Sequence, residues 1–264
     1  MRSTPPVILS IAGSDCSAGA GLQADLKAGF ELGCYPLTAV TCVVSEVPGL
    51  VEDIVAMEPA FVAAQVRLLL RSFPVAAIKT GMLYSPEIVS AVCRELEGYQ
   101  GPIVVDPVMI ATAGESLMQQ AAIAVYEQEL LPRTTILTPN KDELEILHGG
   151  ISISTTQELT EAAKALAARY NCAILAKGGH VGHDTCTDVL VLPDGHTLSW
   201  SHPRVHNIST HGTGCTLSSA LAAKLALGLP MEEAVPAALD YIAGAIASSH
   251  KLGELYALDH HAGK

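Results

Sequence analysis

The chain has 264 residues, of which 49% are apolar and 16% are charged. This length fits one large domain or two small ones, and the composition excludes a disordered chain, a collagen and a coiled coil. Fifteen Lys and Arg residues against 27 Asp and Glu residues give a formal net charge of −12, and aromatic residues make up only 4%. We therefore expect no nucleic-acid partner, because phosphate contacts need clustered cations and base stacking needs aromatic side chains.

Cysteine usage and the lack of long apolar runs point to a cellular compartment. The seven cysteines form no CxxC pair, which is typical of reduced thiols in a cytosolic protein. No run reaches the ~18 apolar residues that a membrane helix needs. The early apolar run 7–12 is too short for a secretory signal. We predict a soluble cytoplasmic protein with no membrane partner.

Short apolar runs alternate with longer segments of helical periodicity over the first two thirds of the chain. The predicted strands are residues 7–12, 37–44, 75–78, 103–105, 135–137 and 173–176. The predicted helices between them are residues 22–32, 60–70, 85–96, 117–130 and 159–170. This alternation indicates βαβ units, and therefore an α/β fold with a mainly parallel central sheet and helices on both faces.

The pattern changes after Lys177. Residues 187–192 and 197–201 flank Pro-Asp-Gly, which predicts a short antiparallel hairpin at the sheet edge. Two helices, 213–227 and 231–250, close the chain and are separated by Gly-Leu-Pro. No repeat or linker interrupts the sequence, so we predict a single domain over residues 1–264.

Polar residues or glycines follow each predicted strand. They are Gly13 with Ser14 and Asp15, Glu46, residues 79–82, Asp106, Asn140, and Lys177 with two glycines. Any one of these could be ordinary turn chemistry. Ligands of parallel sheets bind beyond the carboxyl ends of the strands, so six polar strand ends together predict a ligand site.

Residues 211–216, His-Gly-Thr-Gly-Cys-Thr, lead directly into a helix of small residues. Glycines allow a close backbone approach, and the first amides of a helix together with its dipole form an anion site. Cys215 falls in that first turn, where we expect its pKa to be lowered towards the thiolate. The alternative is a glycine-rich helix start with an incidental cysteine, which the bare pattern leaves open.

Residues 140–143, Asn-Lys-Asp-Glu, have two interpretations. As local structure, Asn140 and Glu143 form a capping box at the start of a helix. As function, their oxygens lie at a strand end near Asp106 and could hold Mg²⁺ directly or through water. Because phosphoryl transfer needs a metal that bridges phosphate oxygens, the second interpretation gains weight beside Asp106.

A rival motif competes for the start of the chain. Residues 19–24 match the dinucleotide pattern GxGxxA, and Glu46 stands where a ribose-binding acid would lie, as in an NAD-dependent oxidoreductase. Six residues separate Gly13 from Gly19, whereas the dinucleotide turn is tight, so we favour this reading less. No Walker A sequence is present, and His180, His183, His260 and His261 lack metal-site spacing, which makes them loop and tail residues.

Taken together, these segments resemble the hydroxymethylpyrimidine/phosphomethylpyrimidine kinases of thiamine biosynthesis. The resemblance covers nearly the whole chain and is most specific at residues 211–218. Its other segments are residues 11–15, 19–27, 79–83, 106–109, 138–140 and 177–180. It implies a ribokinase-like fold without a separate lid domain, a homodimer, ATP and Mg²⁺ as cofactors with a monovalent cation left open, and a small-molecule substrate phosphorylated twice.

The resemblance also implies roles for individual residues. Gly212, Thr213 and Gly214 would form the anion hole around the transferring group, and Cys215 would be the general base. Asp106, Asn140 and Glu143 would hold Mg²⁺, partly through water, and together with Lys177 they would bind the nucleotide. The implied substrate-binding residues are Gly13, Asp25, Val44, Glu46, Met82 and Val108.

The chain departs from the family pattern at several positions. Glu46 stands where the family commonly has a glutamine that both donates and accepts, and an ionised carboxylate can only accept. Cys16, Ala18 and the tail at residues 251–256 also differ. Two alternatives therefore stay open beside the pyrimidine kinase: a pyridoxal or pyridoxine kinase, and a non-catalytic pyrimidine-binding protein.

Overall fold

The computed structural model describes residues 4–109, 120–179, 181, 185–204 and 211–261. In this part of the chain, nine strands form one sheet in the order β3-β2-β1-β4-β5-β6-β7-β8-β9. The strands are β1 Val7–Asp15, β2 Tyr35–Val47, β3 Leu50–Ala56, β4 Val75–Thr80, β5 Ile103–Val105, β6 Ile136–Leu137, β7 Ala173–Ala176, β8 Thr185–Val191 and β9 Thr197–Pro203. The helices are α1 Gly21–Glu31, α2 Pro59–Ser72, α3 Pro86–Glu95, α4 Gln120–Val125, α5 Lys141–Leu147, α6 Thr156–Tyr170, α7 Thr213–Ala226 and α8 Met231–Ala247.

The centre of the sheet is parallel and its two edges are antiparallel. Strands β2, β1, β4, β5, β6 and β7 pair in parallel. β8 and β9 add the predicted antiparallel hairpin at one edge. The predicted mainly parallel α/β fold with an edge hairpin is therefore confirmed.

The central strands are buried on both faces because helices pack against both sides of the sheet. Val105 belongs to a core shared with α2, α3 and α6, whereas its neighbour Val104 packs with α7 and α8. Likewise, Ile174 packs in the core with α2, α3 and α6, and Leu175 packs in the core with α7 and α8. Successive side chains of a strand point to opposite faces, so runs of consecutive apolar residues mark strands covered on both sides.

Several elements differ from the sequence-based predictions. Strand β3 pairs antiparallel with β2 at the second edge, and a two-stranded hairpin, β10 His250–Leu252 with β11 Leu255–Ala257, follows α8. Both were missed because their side chains are mostly exposed and carry no clear apolar alternation. The predicted helix 117–130 is α4 followed by a π-helical turn, Tyr126–Leu130. Residues 117–119, His180 and His183 lie outside the described residues.

Two further features concern the C-terminal helices. α8 ends at Ala247, three residues earlier than predicted, and contains Pro236. None of the helices in the described residues is both long enough and apolar enough to span a bilayer. Most of α7 is buried, and its apolar residues pack with Val104, Ile136 and Leu175 of the central strands.

Candidate active site

The start of α7 forms a backbone cradle at the carboxyl edge of the sheet. Gly212 precedes the helix with φ +79°, and no side chain caps the helix start. A Cβ at Gly212 would lie 1.8 Å from the carbonyl oxygen of Gly19, so only glycine fits between the two loops. The first N–H groups of a helix have no acceptor within the helix, and they carry its positive dipole end. Gly212, Thr213 and Gly214 therefore lie at the start of α7, where an anion hole is predicted, and that role stays a prediction.

Asp15 organises the loop that faces this cradle. Its carboxylate accepts hydrogen bonds from the backbone N–H groups of Ser17, Gly19 and Ala20 at 2.6, 3.1 and 2.7 Å. The ring of His211 lies 2.9 Å from the same carboxylate. Burial alone would raise the pKa of Asp15, but the hydrogen bonds, with that of His211 first, outweigh burial and lower the pKa to about 2.

These bonds argue against the dinucleotide interpretation of residues 19–24. A dinucleotide site leaves the amides of its glycine turn free for the pyrophosphate. In this structure Asp15 already accepts from the N–H groups of Gly19 and Ala20, and Gly212 fills the space next to Gly19. The rival interpretation therefore does not fit the folded loop.

Cys215 lies in the first turn of α7, as predicted, but its protonation differs from the expectation. Burial raises the pKa of the Cys215 thiol to about 12, and the Asp106 and Asp25 carboxylates add to that rise. The ammonium of Lys79 and a hydrogen bond from the backbone of Gly21 act in the opposite direction without reversing it. The prediction of a lowered pKa for Cys215 is therefore wrong, because the loss of solvation on burial outweighs the effect of the helix dipole.

Asp25 occupies a different environment from the one expected of a substrate-binding residue. It is 1% exposed, and both carboxylate oxygens lie 2.9 Å from the Lys79 ammonium. The hydroxyls of Ser10 and Ser219 also donate to it. With its oxygens bonded inside the protein, Asp25 has no open face for a ligand. The prediction that Asp25 binds substrate therefore does not fit its bonded, buried carboxylate.

A second lysine–aspartate pair lies at the mouth of the site. The Lys177 ammonium contacts the Asp106 carboxylate at 3.0 Å, and Lys177 is 15% exposed. Thr138 and Ser218 donate to the two oxygens of Asp106, each at 3.3 Å. A Cβ at Gly214 would lie 3.2 Å from the Lys177 nitrogen, so this pair borders the backbone cradle.

Asn140 and Glu143 form the capping box of α5 with both of its hydrogen bonds. The Asn140 side chain accepts from the Glu143 N–H at 2.9 Å, and Glu143 accepts from the Asn140 N–H at 2.8 Å. Glu143 is buried and also accepts from the N–H of Met109 at 3.2 Å. Burial raises the pKa of Glu143, the nearby Lys177 lowers it, and Asp106 adds to the rise.

An apolar slot adjoins this polar group. Cys42, Val44 and Met82 form a buried cluster, with Val108 and Tyr84 packed against it. Gly13 borders the slot, because a Cβ there would lie 2.8 Å from the Cys42 sulfur. Val108 has φ +47°, a strained conformation for a β-branched residue, and such strain is concentrated at binding sites. The structure therefore brings together Gly13, Val44, Met82 and Val108 as predicted.

Glu46 lies two residues beyond Val44 on β2, so the two side chains share a face of the sheet. Among the described residues, no group donates a hydrogen bond to its carboxylate, and only its backbone contacts the Cys16 sulfur. Burial raises the pKa of Glu46, Asp15 adds to the rise, and His211 opposes it. An acidic side chain thus stands at the polar end of the apolar slot.

Sequence analysis missed several residues of the site. His211, Thr138, Ser218 and Ser219 all bond to its carboxylates, and Cys42 forms part of its apolar wall. Cys42 could have been found from the alternation on β2, since it lies two positions before Val44. The hydroxyl residues carry no such signal, because serine and threonine are common in any helix or strand.

Known proteins resemble this chain in sequence and in fold. A relative from Schizosaccharomyces pombe is 42% identical over 94% of this chain, which spans only 48% of that protein. The hydroxymethylpyrimidine/phosphomethylpyrimidine kinase of Streptomyces coelicolor is 40% identical, with coverage of 95% of this chain and 92% of that protein. The ADP complex of Bacillus subtilis pyridoxal kinase superposes with a TM-score of 0.90 at 31% identity, over 98% of both chains, and the fold is ribokinase-like as expected. The family profile described as phosphomethylpyrimidine kinase matches residues 15–258, and the chain belongs to that family.

Proposed function

We propose that this chain is a kinase that transfers the γ-phosphoryl group of Mg²⁺-ATP to 4-amino-5-hydroxymethyl-2-methylpyrimidine, and then a second phosphoryl group to the monophosphate, in thiamine biosynthesis. The proposal rests on the start of α7, where Gly212 precedes the helix and no side chain caps it. Cys215 lies in the first turn, and an apolar slot lies nearby. Family membership and the name of the Streptomyces coelicolor relative support the choice of substrate.

The backbone cradle and Lys177 would stabilise the transferring phosphoryl group. Phosphoryl transfer passes through a loose transition state with charge on the equatorial oxygens, so catalysis depends on positioning and on fixed positive groups. The amides of Gly212, Thr213 and Gly214 supply such groups without reorganisation. The ammonium of Lys177, which borders Gly214, adds a full charge on the nucleotide side. Bacillus subtilis pyridoxal kinase, similar over 98% of the chain, was solved with ADP, which supports ATP as the donor.

The donor set at the mouth of the site fits Mg²⁺. Asp106, Glu143 and Asn140 present carboxylate and amide oxygens, which are the ligands that Mg²⁺ prefers. The capping bonds already engage Asn140 and Glu143, so few direct protein bonds remain and the ion would keep several waters. The described residues contain no cluster of three His, Cys, Asp or Glu that could hold a metal by itself. When bound, Mg²⁺ supplies charge neutralisation at the phosphates.

Cys215 would accept the proton of the attacking hydroxyl. That role needs the thiolate, and the pKa of about 12 makes the thiolate scarce in the free protein at neutral pH. A loose transition state demands little deprotonation before the phosphoryl group moves, so the proton is transferred late. We therefore expect turnover to rise with pH from neutral to alkaline solution, as more of Cys215 ionises.

The apolar slot would hold the ring of the substrate. Cys42, Val44 and Met82 offer apolar contact to a flat ring, and Glu46 would accept a hydrogen bond at the edge of that ring. Glu46 would accept from the exocyclic amine of the pyrimidine, or pair with a protonated ring nitrogen.

Pyridoxal is a second candidate substrate, favoured by two observations. The structural neighbour from Bacillus subtilis is a pyridoxal kinase. A carboxylate with no donor among the described residues suits a ring that presents a phenolic hydroxyl, because the hydroxyl donates where Glu46 can accept.

We further propose that the chain works as a homodimer in the cytoplasm. Apolar side chains are exposed on the edge hairpin of β2 and β3, among them Leu50 at 50% and Val55 at 58%. Exposed edge strands and apolar patches of this kind mark protein contacts. All seven cysteines are free thiols, as expected in a reducing compartment. Light scattering of Val55→Lys against the parent chain tests the dimer.

Product analysis tests the proposed function. Purified protein is incubated with Mg²⁺-ATP, with and without K⁺, and offered the aminopyrimidine alcohol and pyridoxal in competition. Mass spectrometry of mono- and then diphosphorylated pyrimidine is the expected result. Phosphorylated pyridoxal alone would move the substrate to the second candidate. Ligand binding without any phosphorylated product would contradict the kinase and leave a binding protein.

A further inference from the structure

A buried ion pair ties four elements together behind the active site. Lys79 at the end of β4 and Asp25 in α1 are each 2% exposed at their side chains and lie 2.9 Å apart. Ser10 on β1 and Ser219 on α7 donate to the same carboxylate, the latter at 2.6 Å. Such a pair loses solvation on both sides, and only the additional hydrogen bonds offset that cost.

The pair lies one helical turn from Cys215: Ser219, which donates to Asp25 at 2.6 Å, follows Cys215 by four residues on α7, so the two side chains share a face of that helix. Among the charged groups around Cys215, Lys79 lowers the pKa of the thiol most. A Cys215 thiolate in turn raises the pKa of Lys79. The other charged groups around the thiol are Asp25 on α1, Asp106 after β5 and Lys177 after β7. Lys177 is partly exposed and bonded to Asp106 at the nucleotide side, whereas Lys79 has no open face and no ligand to bind.

We propose that Lys79 is a positioning residue for the transfer step: its fixed ammonium, held by Asp25, makes the Cys215 thiolate accessible inside the protein. This inference rests on the proposed function for its role in turnover, but not for its effect on the thiol. This role accounts for the buried lysine, because an apolar residue at the same place would lose less solvation free energy on folding.

The step balances without any further reactant. The substrate O–H bond breaks and its proton passes to the Cys215 sulfur, while the oxygen forms a bond to the γ-phosphorus. The bond from that phosphorus to the bridging oxygen breaks, and ADP leaves with the electron pair. Lys79 keeps its proton throughout, because Asp25 and the nearby carboxylates outweigh burial and raise the pKa of Lys79.

Thiol labelling reports on Cys215 without substrate or nucleotide. Iodoacetamide reacts with the thiolate, so the labelling rate of the Cys215 peptide across pH follows its ionisation. Cys16 is exposed and serves as an internal reference in the same chain. We compare the parent chain, Asp25→Asn, and Lys79→Met combined with Asp25→Asn, which removes both buried charges and so avoids an unpaired one.

Both variants are expected to slow Cys215 labelling. Asp25→Asn removes the carboxylate that holds Lys79 in its charged form, so burial favours the neutral amine and the Cys215 thiolate loses its cation. The double variant removes the dominant cation, so labelling becomes about threefold to tenfold slower, since one pKa unit corresponds to a tenfold change in thiolate. Equal labelling of Cys215 in the parent chain and the double variant, with Cys16 unchanged, would overturn the proposal.

A variant that removes only an uncharged hydrogen bond distinguishes an electrostatic effect on Cys215 from a purely structural one. Ser219→Ala removes a hydrogen bond to Asp25 and leaves both charges, so the pH dependence of Cys215 labelling stays as in the parent chain. A shift as large as that of the double variant would mean that the network acts only by holding α7, and would overturn the electrostatic role. Because labelling needs no turnover, a chain without kinase activity can still pass or fail this test.

Discussion

The two lysine–aspartate pairs of this protein have the same chemistry and different surroundings. Lys79 and Asp25 are sealed in the core, with both carboxylate oxygens at 2.9 Å from the ammonium. Lys177 and Asp106 make one contact at 3.0 Å, and Lys177 is 15% exposed beside the glycines of α7. The sealed pair has no bonding capacity left for a ligand, whereas the open pair can exchange partners.

This contrast predicts that burial and remaining bonding capacity distinguish a positioning pair from a binding pair. Both pairs lie at the carboxyl edge of the sheet, and both act electrostatically on Cys215. Removing a sealed charge should therefore cost folding stability, and removing an open one should cost turnover. Four substitutions test that distinction, starting with the residue on which both pairs act.

Cys215→Ala has the largest expected effect. Turnover should fall by about 10²–10⁴-fold, the usual contribution of a general base, while substrate binding survives. Steady-state kinetics and calorimetric titration with substrate measure the two quantities. Cys34→Ala, a buried thiol near the far end of α7, serves as the matched control and should leave turnover unchanged. Near-parental turnover in Cys215→Ala would remove the proton-acceptor role.

Lys79→Met tests the sealed pair. It leaves the Asp25 carboxylate buried without its cation, so the free energy of unfolding should fall by about 3–5 kcal/mol. Urea denaturation measures this loss. Adding Asp25→Asn to the same chain should restore most of the stability, because no unpaired charge remains. A single variant as stable as the parent chain would show that the pair is not effectively buried.

Lys177→Met tests the open pair. Turnover should fall by about 10²–10³-fold, the usual loss for one charge-stabilising group, because a full positive charge next to the cradle is lost. The loss of unfolding free energy should be smaller than in Lys79→Met, since the Lys177 side chain is 15% exposed and makes one contact with Asp106, whereas Lys79 is 2% exposed and contacts both oxygens of Asp25. Kinetics and urea denaturation of the same preparation give both values. Equal stability losses in the two variants would contradict the contrast between the pairs.

The smallest effect on stability is expected from Asp15, a carboxylate that is paired with His211 rather than with a lysine. Its folded pKa of about 2 lies below the ordinary value of 3.8. The associated stability, about 2 kcal/mol, is therefore fully present above about pH 4 and is lost as the pH falls through the folded pKa. Urea denaturation between pH 5 and pH 2 should show a steeper loss in the parent chain than in Asp15→Asn. Parallel pH profiles would mean that Asp15 does not titrate as described.

Much of the fold could be predicted from the sequence because it depends on local periodicity. The runs 103–105 and 173–176 became strands with the predicted bounds, and the box at Asn140 and Glu143 caps α5 as its residue types require. The edge strand β3 escaped prediction because its side chains are mostly exposed, so no apolar alternation marks it.

The sequence alone determined which polar groups end neighbouring strands, and therefore where a site must lie in a parallel sheet. The surroundings of each group depend on the tertiary structure. The Asp25 carboxylate is closed to ligands because Lys79, distant in sequence, is buried against it. The pKa of Cys215 rose to about 12 because solvation is lost only when α7 packs onto the sheet. Burial and long-range charge belong to the assembled chain, and local sequence cannot encode them by itself.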